Sequence, residues 1–287
     1  MDFTACTERA QELRALGILV TRKGEEILEW YAEPECRRNV YSASKSFTSA
    51  AVGFAVQEGL LSLDEPLLDA FAGEGPENPD AHLQKAVVRD LLTMHLGQAA
   101  ASLMGDQRIH MQEDDWVRYS LAQPFSEDPG EKFLYNNVGP YLAGVLVQRR
   151  AGCNLQDYLY PRLFKPLGIR KPTWEMDPVG YTFGAGGLFL GITELHKFGL
   201  LYLAGGAWEG KQLLRASWIE ESTRDYRDSG YGYLFWRGKY DSYRADGKYG
   251  QFCIVLPEKE SVITVVSECR DTRSLIHLLY DEICAKL

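Results

Sequence analysis

The chain has 287 residues, with 31 Lys and Arg against 40 Asp and Glu, a formal charge of -9 and 45% hydrophobic residues. This is a globular composition with no basic field to hold a phosphate backbone, which excludes nucleic acid as a partner. Its longest apolar runs fall far below the ~20 residues needed to cross a bilayer, so the chain reads as no membrane protein.

Thr7 to Leu16 places Ala10, Leu13 and Leu16 on one helical stripe, which Gly17 is expected to end. Ile18 to Thr21 and Ile27 to Tyr31 read as two strands joined by a turn at Arg22-Lys23-Gly24-Glu25. From Ser46 to about Ser222 the character changes. Helical patterns are predicted at Phe47 to Glu58, Val88 to His95, Val138 to Arg150, Leu155 to Leu163 and Thr193 to Ala204, separated by Pro- and Gly-rich loops. Strand patterns return at Tyr231 to Arg237, Gln251 to Leu256 and Ser261 to Ser267, and helical spacing resumes from Arg273 to Leu287. The pattern predicts an α+β protein: residues 1–45 and 223–287 form an antiparallel sheet lobe with terminal helices, and residues 46–222 form a mainly helical lobe inserted between its halves. The two would work as one functional domain.

Several motifs fail on chemistry. Gly205 to Lys211 has the glycines of a phosphate loop, but Gln212 stands where a Ser or Thr must hold magnesium. Gly184-Ala185-Gly186-Gly187 lacks the spacing of a dinucleotide fingerprint and reads as close backbone packing. No Ser has Gly at both second neighbours, so a lipase-type nucleophile elbow is missing. The histidines (82, 95, 110, 196, 277) show no zinc spacing, and the six cysteines contain no Cys-x-x-Cys pair. The reading is no metal site and buried free thiols. The acidic opening Met1 to Glu8 lacks the basic and apolar regions of a signal peptide, which together with the cysteine usage predicts a cytoplasmic protein.

Ser42-Ala43-Ser44-Lys45 is different. A Ser and a Lys three apart at the start of an apolar helix share one face of its first turn. A free serine hydroxyl is unreactive near neutrality and needs a base, a task open to Lys45 if burial and the helix N-terminus depress its pKa.

With these residues the sequence resembles the serine beta-lactamase and penicillin-binding protein superfamily, in its class C-like branch of esterases, D-amino-acid peptidases and aminohexanoate-oligomer hydrolases. Tyr41 to Thr48 is similar to the nucleophile motif, Pro129 to Asn137 to the stretch carrying the Tyr-x-Asn motif, and Glu58 to Pro66, Phe164 to Ile169 and Gly184 to Leu190 to further landmarks. The resemblance implies a beta-lactamase/transpeptidase-like fold and a serine hydrolase that needs no cofactor. It implies Ser42 as the acylated nucleophile, Lys45 as its proton acceptor, Tyr135 as the phenol relaying a proton to the leaving group, and Asn137 as an amide holding the acyl portion of the substrate. A Tyr beside a Lys ammonium would have its phenolate favoured.

The third family motif, Lys-Thr-Gly or His-x-Gly, is aligned with Ala245-Asp246-Gly247, keeping the Gly247 and Gly250 spacing. This alignment implies substrate contacts from Ala245, Gly247, Lys248 and Gly250, and an oxyanion hole from the backbone N–H groups of Ser42 and Lys248. A rival alignment puts Lys248-Tyr249-Gly250 on the motif and makes Lys248 a carboxylate-binding cation. With Ala245 in the Lys or His position, the charge that grips a beta-lactam carboxylate is missing, unless Arg244 or Lys248 replaces it. Trp116, Tyr181, Phe183, Tyr231 and Trp236 are candidates for the pocket wall. The expected partner is a small ester, an amide or a short peptide; the alternative is a noncatalytic or penicillin-binding member that binds or is acylated without turnover.

Overall fold

A computed structural model describes residues 1–287. Helix α1 (Thr4–Glu12) leads into β1 (Ala15–Arg22) and β2 (Glu25–Tyr31). After the buried helix α2 (Ser44–Gln57) come α3 (Val138–Ala151) and α4 (Ile192–Leu203). The chain then returns to strands β3 (Trp236–Arg237), β4 (Tyr243–Gly247), β5 (Gln251–Leu256) and β6 (Ser261–Ser267), and to α5 (Thr272–Leu278).

The six strands form one antiparallel sheet in the order β2-β1-β6-β5-β4-β3. Pairing of Ile18 with Val265 and of Val20 with Ile263 joins the N-terminal hairpin to the C-terminal meander. Strands β1, β5 and β6 are buried on both faces, which is why they read as nearly continuous apolar runs. One face packs Ile18, Val20, Ile254, Ile263 and Val265 against α1 and α5. The other packs Cys253, Val255 and Val262 against α4 and, through Phe198 and Leu201, joins the core around α2 and α3.

Helix α2 is buried from Ser44 to Ala55. A helix buried all round needs small residues wherever neighbours come close. Gly53 provides this against the Trp218 indole, and Gly184 provides it against Thr48 and the Pro140 carbonyl. Of the glycines at 184 to 187, Gly184 and Gly187 are the close-packing residues expected, Gly187 against Glu175, while Gly186 has only ordinary contacts.

Local departures from the sequence reading have local causes. Gly17 does not end α1: the reversal falls at Arg14, with φ of 65°, and Gly17 pairs with Val266 inside β1. The stretch 88–95 makes only one helical turn, Asp90–Thr93, because Met94 turns left-handed with φ of 62°. Tyr231 to Arg237 is not a continuous strand: Leu234, with φ of 65°, folds back so that its N–H donates to Leu92 and its carbonyl accepts from Ser46 Oγ. The last helix narrows to Thr272–Leu278 and continues as two irregular turns. Cys6, Cys253, Cys269 and Cys284 are buried, but Cys36 is exposed and Cys153 partly so. No helix is long and apolar enough to cross a membrane.

Candidate active site

Ser42 sits in a single 3-10 turn, Tyr41–Ala43, that feeds directly into α2. The turn is entered through Tyr41 in the left-handed region, with φ of 48°. That conformation costs a non-glycine residue about 1–2 kcal/mol, so neighbours must hold it. Asn39 Oδ1 accepts from the Tyr41 N–H at 2.7 Å, and Ser44 Oγ donates to the Tyr41 carbonyl at 2.5 Å while accepting from the Leu188 N–H at 3.1 Å. Ser44 thus pins the nucleophile turn. The Ser-x-x-Lys spacing alone did not single it out.

Lys45 is buried, with 1% of its surface exposed. Its Nζ lies 3.1 Å from Ser42 Oγ, 2.7 Å from Asn137 Oδ1 and 2.7 Å from the Ala185 carbonyl oxygen. Burial pulls its pKa down to about 7, helped by the positive charge of Arg108 and opposed by Asp246. A shift of that size corresponds to roughly 5 kcal/mol against the charged amine. At neutral pH a substantial share of Lys45 is therefore a free amine with a lone pair to offer the Ser42 hydroxyl.

Tyr135 lies over this amine, its ring centroid 5.0 Å from Lys45 Nζ, and its hydroxyl interacts with Ser42. Its ring stacks on Trp236 at 5.5 Å and meets the edge of Tyr231 at 6.2 Å. Burial pushes the phenol pKa up, with Asp246 adding to the rise. The expected phenolate is thus not the favoured resting form: desolvation outweighs the hydrogen bond with Ser42, and the phenol keeps its proton. The loop that carries Tyr135 is tied to the Met94 segment, since Leu134 N–H donates to the Met94 carbonyl and Gly130 N–H to that of His95. Asn136 Oδ1 accepts from Gly139 N–H at the start of α3.

Asn137 is nearly committed already. Its Oδ1 holds Lys45 and its Nδ2 donates to the Leu103 carbonyl at 2.8 Å, which leaves one amide N–H for a substrate.

The aligned third motif occupies β4 and the turn after it. Gly247 packs against the chain just before the nucleophile, and a Cβ there would overlap the Val40 carbonyl. This close approach sets the end of β4 beside the Ser42 turn. Ala245 is buried, with its side chain packed into the core. Gly250 is a turn residue, with φ of 84°, its N–H donating to the Gly247 carbonyl and its α-carbon backed against Ser267 and Leu275. Both positions are thus packed inside the protein. The Lys248 side chain is exposed and lies 5.0 Å above the Tyr249 ring, outside the Ser42–Lys45 cluster, which disfavours the rival alignment. Arg244 is also engaged, donating to Asp246 Oδ2 at 2.8 Å and to the Arg237 carbonyl at 3.0 Å.

Two charged residues at the site were missed. Asp246 alternates with Ala245 on β4, so strand periodicity could have placed it opposite the core-facing side chains. Its charge acts on Lys45, Tyr135 and Tyr231, and burial raises its own pKa despite the Arg244 pair. Arg108 comes from a separate short helix, Gly105–Arg108; its guanidinium lies 4.0 Å from the Phe183 ring centroid and bonds Glu175 at 2.7 Å. No sequence signal marked it. Of the proposed wall aromatics, Tyr231 and Trp236 surround Tyr135, Trp116 and Phe183 are buried in the core, and Tyr181 stacks on Arg149. His196 is a satisfied core histidine between Thr21 and Thr264, with its pKa lowered to about 4 by burial.

The chain is similar to a 6-aminohexanoate-dimer hydrolase of Paenarthrobacter ureafaciens, 24% identical over 92% of this chain and 75% of that protein. It is 26% identical to a monacolin J acid methylbutanoyltransferase of Aspergillus terreus over 60% of this chain; that match spans 46% of the relative, about half its length. In structure it resembles a 6-aminohexanoate-dimer hydrolase homologue from Bacillus anthracis with a TM-score of 0.82 at 18% identity, covering 98% of this chain and 80% of that one. The fold is thus beta-lactamase/transpeptidase-like. The family model described as Beta-lactamase matches residues 3–278, and the chain belongs to that family.

Proposed function

We propose that the protein is a serine hydrolase that forms an acyl-enzyme on Ser42 from a small ester, an amide or a short peptide, without a cofactor. The observation that carries this reading is the buried Lys45 amine, 3.1 Å from Ser42 Oγ with its pKa near 7. In the first step Ser42 Oγ bonds to the substrate carbonyl carbon as its proton passes to Lys45, and the N–H groups of Ser42 and Lys248 receive the oxyanion. Collapse breaks the bond to the leaving group, which takes a proton from Tyr135; Tyr135 recovers one from Lys45. Water then attacks the acyl carbon as its proton passes to Lys45; the Ser42 Oγ–acyl bond breaks, Lys45 returns the proton to Oγ, and the acid leaves with Ser42 and the Lys45 amine restored. The raised phenol pKa suits Tyr135 to donation. Relatives named as a hydrolase and as an acyl transferase support the acyl-enzyme, since the two chemistries differ only in whether water or another nucleophile accepts the acyl group.

The test is intact-mass measurement after a fluorophosphonate or penicillin probe, beside a p-nitrophenyl ester assay, with Ser42→Ala as control. A single adduct on the wild type only, together with ester turnover, is expected. No adduct would overturn the reading, and an adduct without turnover would favour the penicillin-binding alternative.

A further inference from the structure

A concavity lies beside the nucleophile turn, at the end of the sheet. It is a cleft of about 780 Å³ whose walls include Arg14, Arg38, Arg270, Tyr41, Tyr249 and Glu268. On a chain of net charge -9, three guanidinium groups around one hollow with a single carboxylate in its lining form a local reversal of sign. Concave walls of one charge concentrate the field inside them.

Those charges are only loosely spent. Glu268 is shared between Arg14 and Arg38, at 3.5 Å from each, and is more than half exposed. Exposed pairs at that distance are weak and exchange readily for a better anion. Arg38 has a closer partner, Glu33 at 2.7 Å, while Arg270 is exposed and pairs with no carboxylate. Neither the Tyr41 nor the Tyr249 hydroxyl bonds another group of the chain; the two rings meet edge to face at 5.3 Å across the side of the cleft toward Ser42. Guanidinium forks and phenol hydroxyls are donors shaped for phosphate and carboxylate oxygens.

We propose that this cleft binds a small, multiply charged organic anion bearing phosphate or several carboxylates, at a site separate from the Ser42–Lys45 cluster. The proposal does not rest on the hydrolase reading. The site adjoins the reactive turn because Asn39 and Tyr41 line the cleft and also hold the backbone that presents Ser42.

Inorganic pyrophosphate is the probe, titrated calorimetrically into the full chain at low ionic strength. The expected result is one bound pyrophosphate per chain, displaced by citrate, with affinity at least tenfold weaker in Arg38→Ala and in Arg270→Ala. Arg270 makes no bond within the chain, so its loss leaves the fold intact. Ser42→Ala should bind like the wild type, and so should Lys211→Ala, a cation on the separate 207–212 hairpin. Absence of binding at millimolar pyrophosphate, or unchanged affinity in Arg270→Ala and in a triple Arg14, Arg38, Arg270→Ala variant with wild-type circular dichroism, would overturn it. Failure of citrate to compete would overturn the general anion reading as well.

Discussion

The Nζ of Lys45 sits 3.1 Å from the Oγ of Ser42, one helical turn earlier, and is enclosed on its other sides by Asn137 and the Ala185 carbonyl. The amine is thus held where it can take the hydroxyl proton, in surroundings that discourage it from being charged.

That arrangement predicts a pH profile. With Lys45 titrating near 7 instead of 10.5, acylation of Ser42 should rise with pH through a midpoint near 7. Stopped-flow rates with a p-nitrophenyl ester, fitted to a single ionisation, would check it; a flat profile from pH 5 to 9 would contradict the assignment. The same shift bears on stability. The unfolded chain holds the Lys45 proton up to about 10.5 and the folded chain releases it near 7, so this group makes stability rise with pH between those values. Lys45→Met should lose that slope in denaturant titrations, and with it about 10³-fold or more of acylation rate, the scale of a removed general base.

Opposite charges beside the amine predict opposite displacements. Arg108→Met removes a positive neighbour and should raise the Lys45 pKa, moving the activity limb to higher pH. Asp246→Asn removes a negative one and should move it to lower pH. Limb midpoints from the two variants, compared with wild type, are the measurement. Displacement in the same direction would show that the charges act through structure.

Ser44→Ala should disturb the nucleophile without touching the reacting atoms. It removes the hydroxyl that bonds the Tyr41 carbonyl and receives the Leu188 N–H, leaving the buried Leu188 N–H without that partner while the Tyr41 carbonyl keeps the Ser44 N–H. Such losses cost about 1–3 kcal/mol. Urea unfolding should show a decrease of that size, and fluorophosphonate labelling should slow by at least tenfold as Tyr41 relaxes from its left-handed conformation.

Gly247→Ala should separate the strand end from the nucleophile turn. The added methyl would overlap the Val40 carbonyl, a backbone atom that cannot swing aside. Overpacking of this kind typically costs about 1–3 kcal/mol. Ester turnover should fall more than stability does, because the shift widens the gap between the N–H groups of Ser42 and Lys248. Gly24→Ala, in an open turn with positive φ, is the comparison: a modest stability loss and unchanged turnover.

Much of this protein was legible in the chain itself. Apolar runs in β1, β5 and β6 marked the strands of one antiparallel sheet backed by terminal helices, and the all-buried α2 followed from its run of small and apolar residues after Lys45. The spacing of Ser42 and Lys45 set their contact, since one helical turn leaves little choice. What only the tertiary structure decided is how far burial goes. Periodicity shows which side chains share a face, but not how much solvent reaches them. Desolvation is what drew Lys45 down to about 7 and pushed Tyr135 up, reversing the phenolate expected from proximity alone. Asp246 and Arg108 belong to the same limit. They reach the site from β4 and from a one-turn helix far apart in sequence, and a Coulomb interaction depends on separation in space, which no local pattern records.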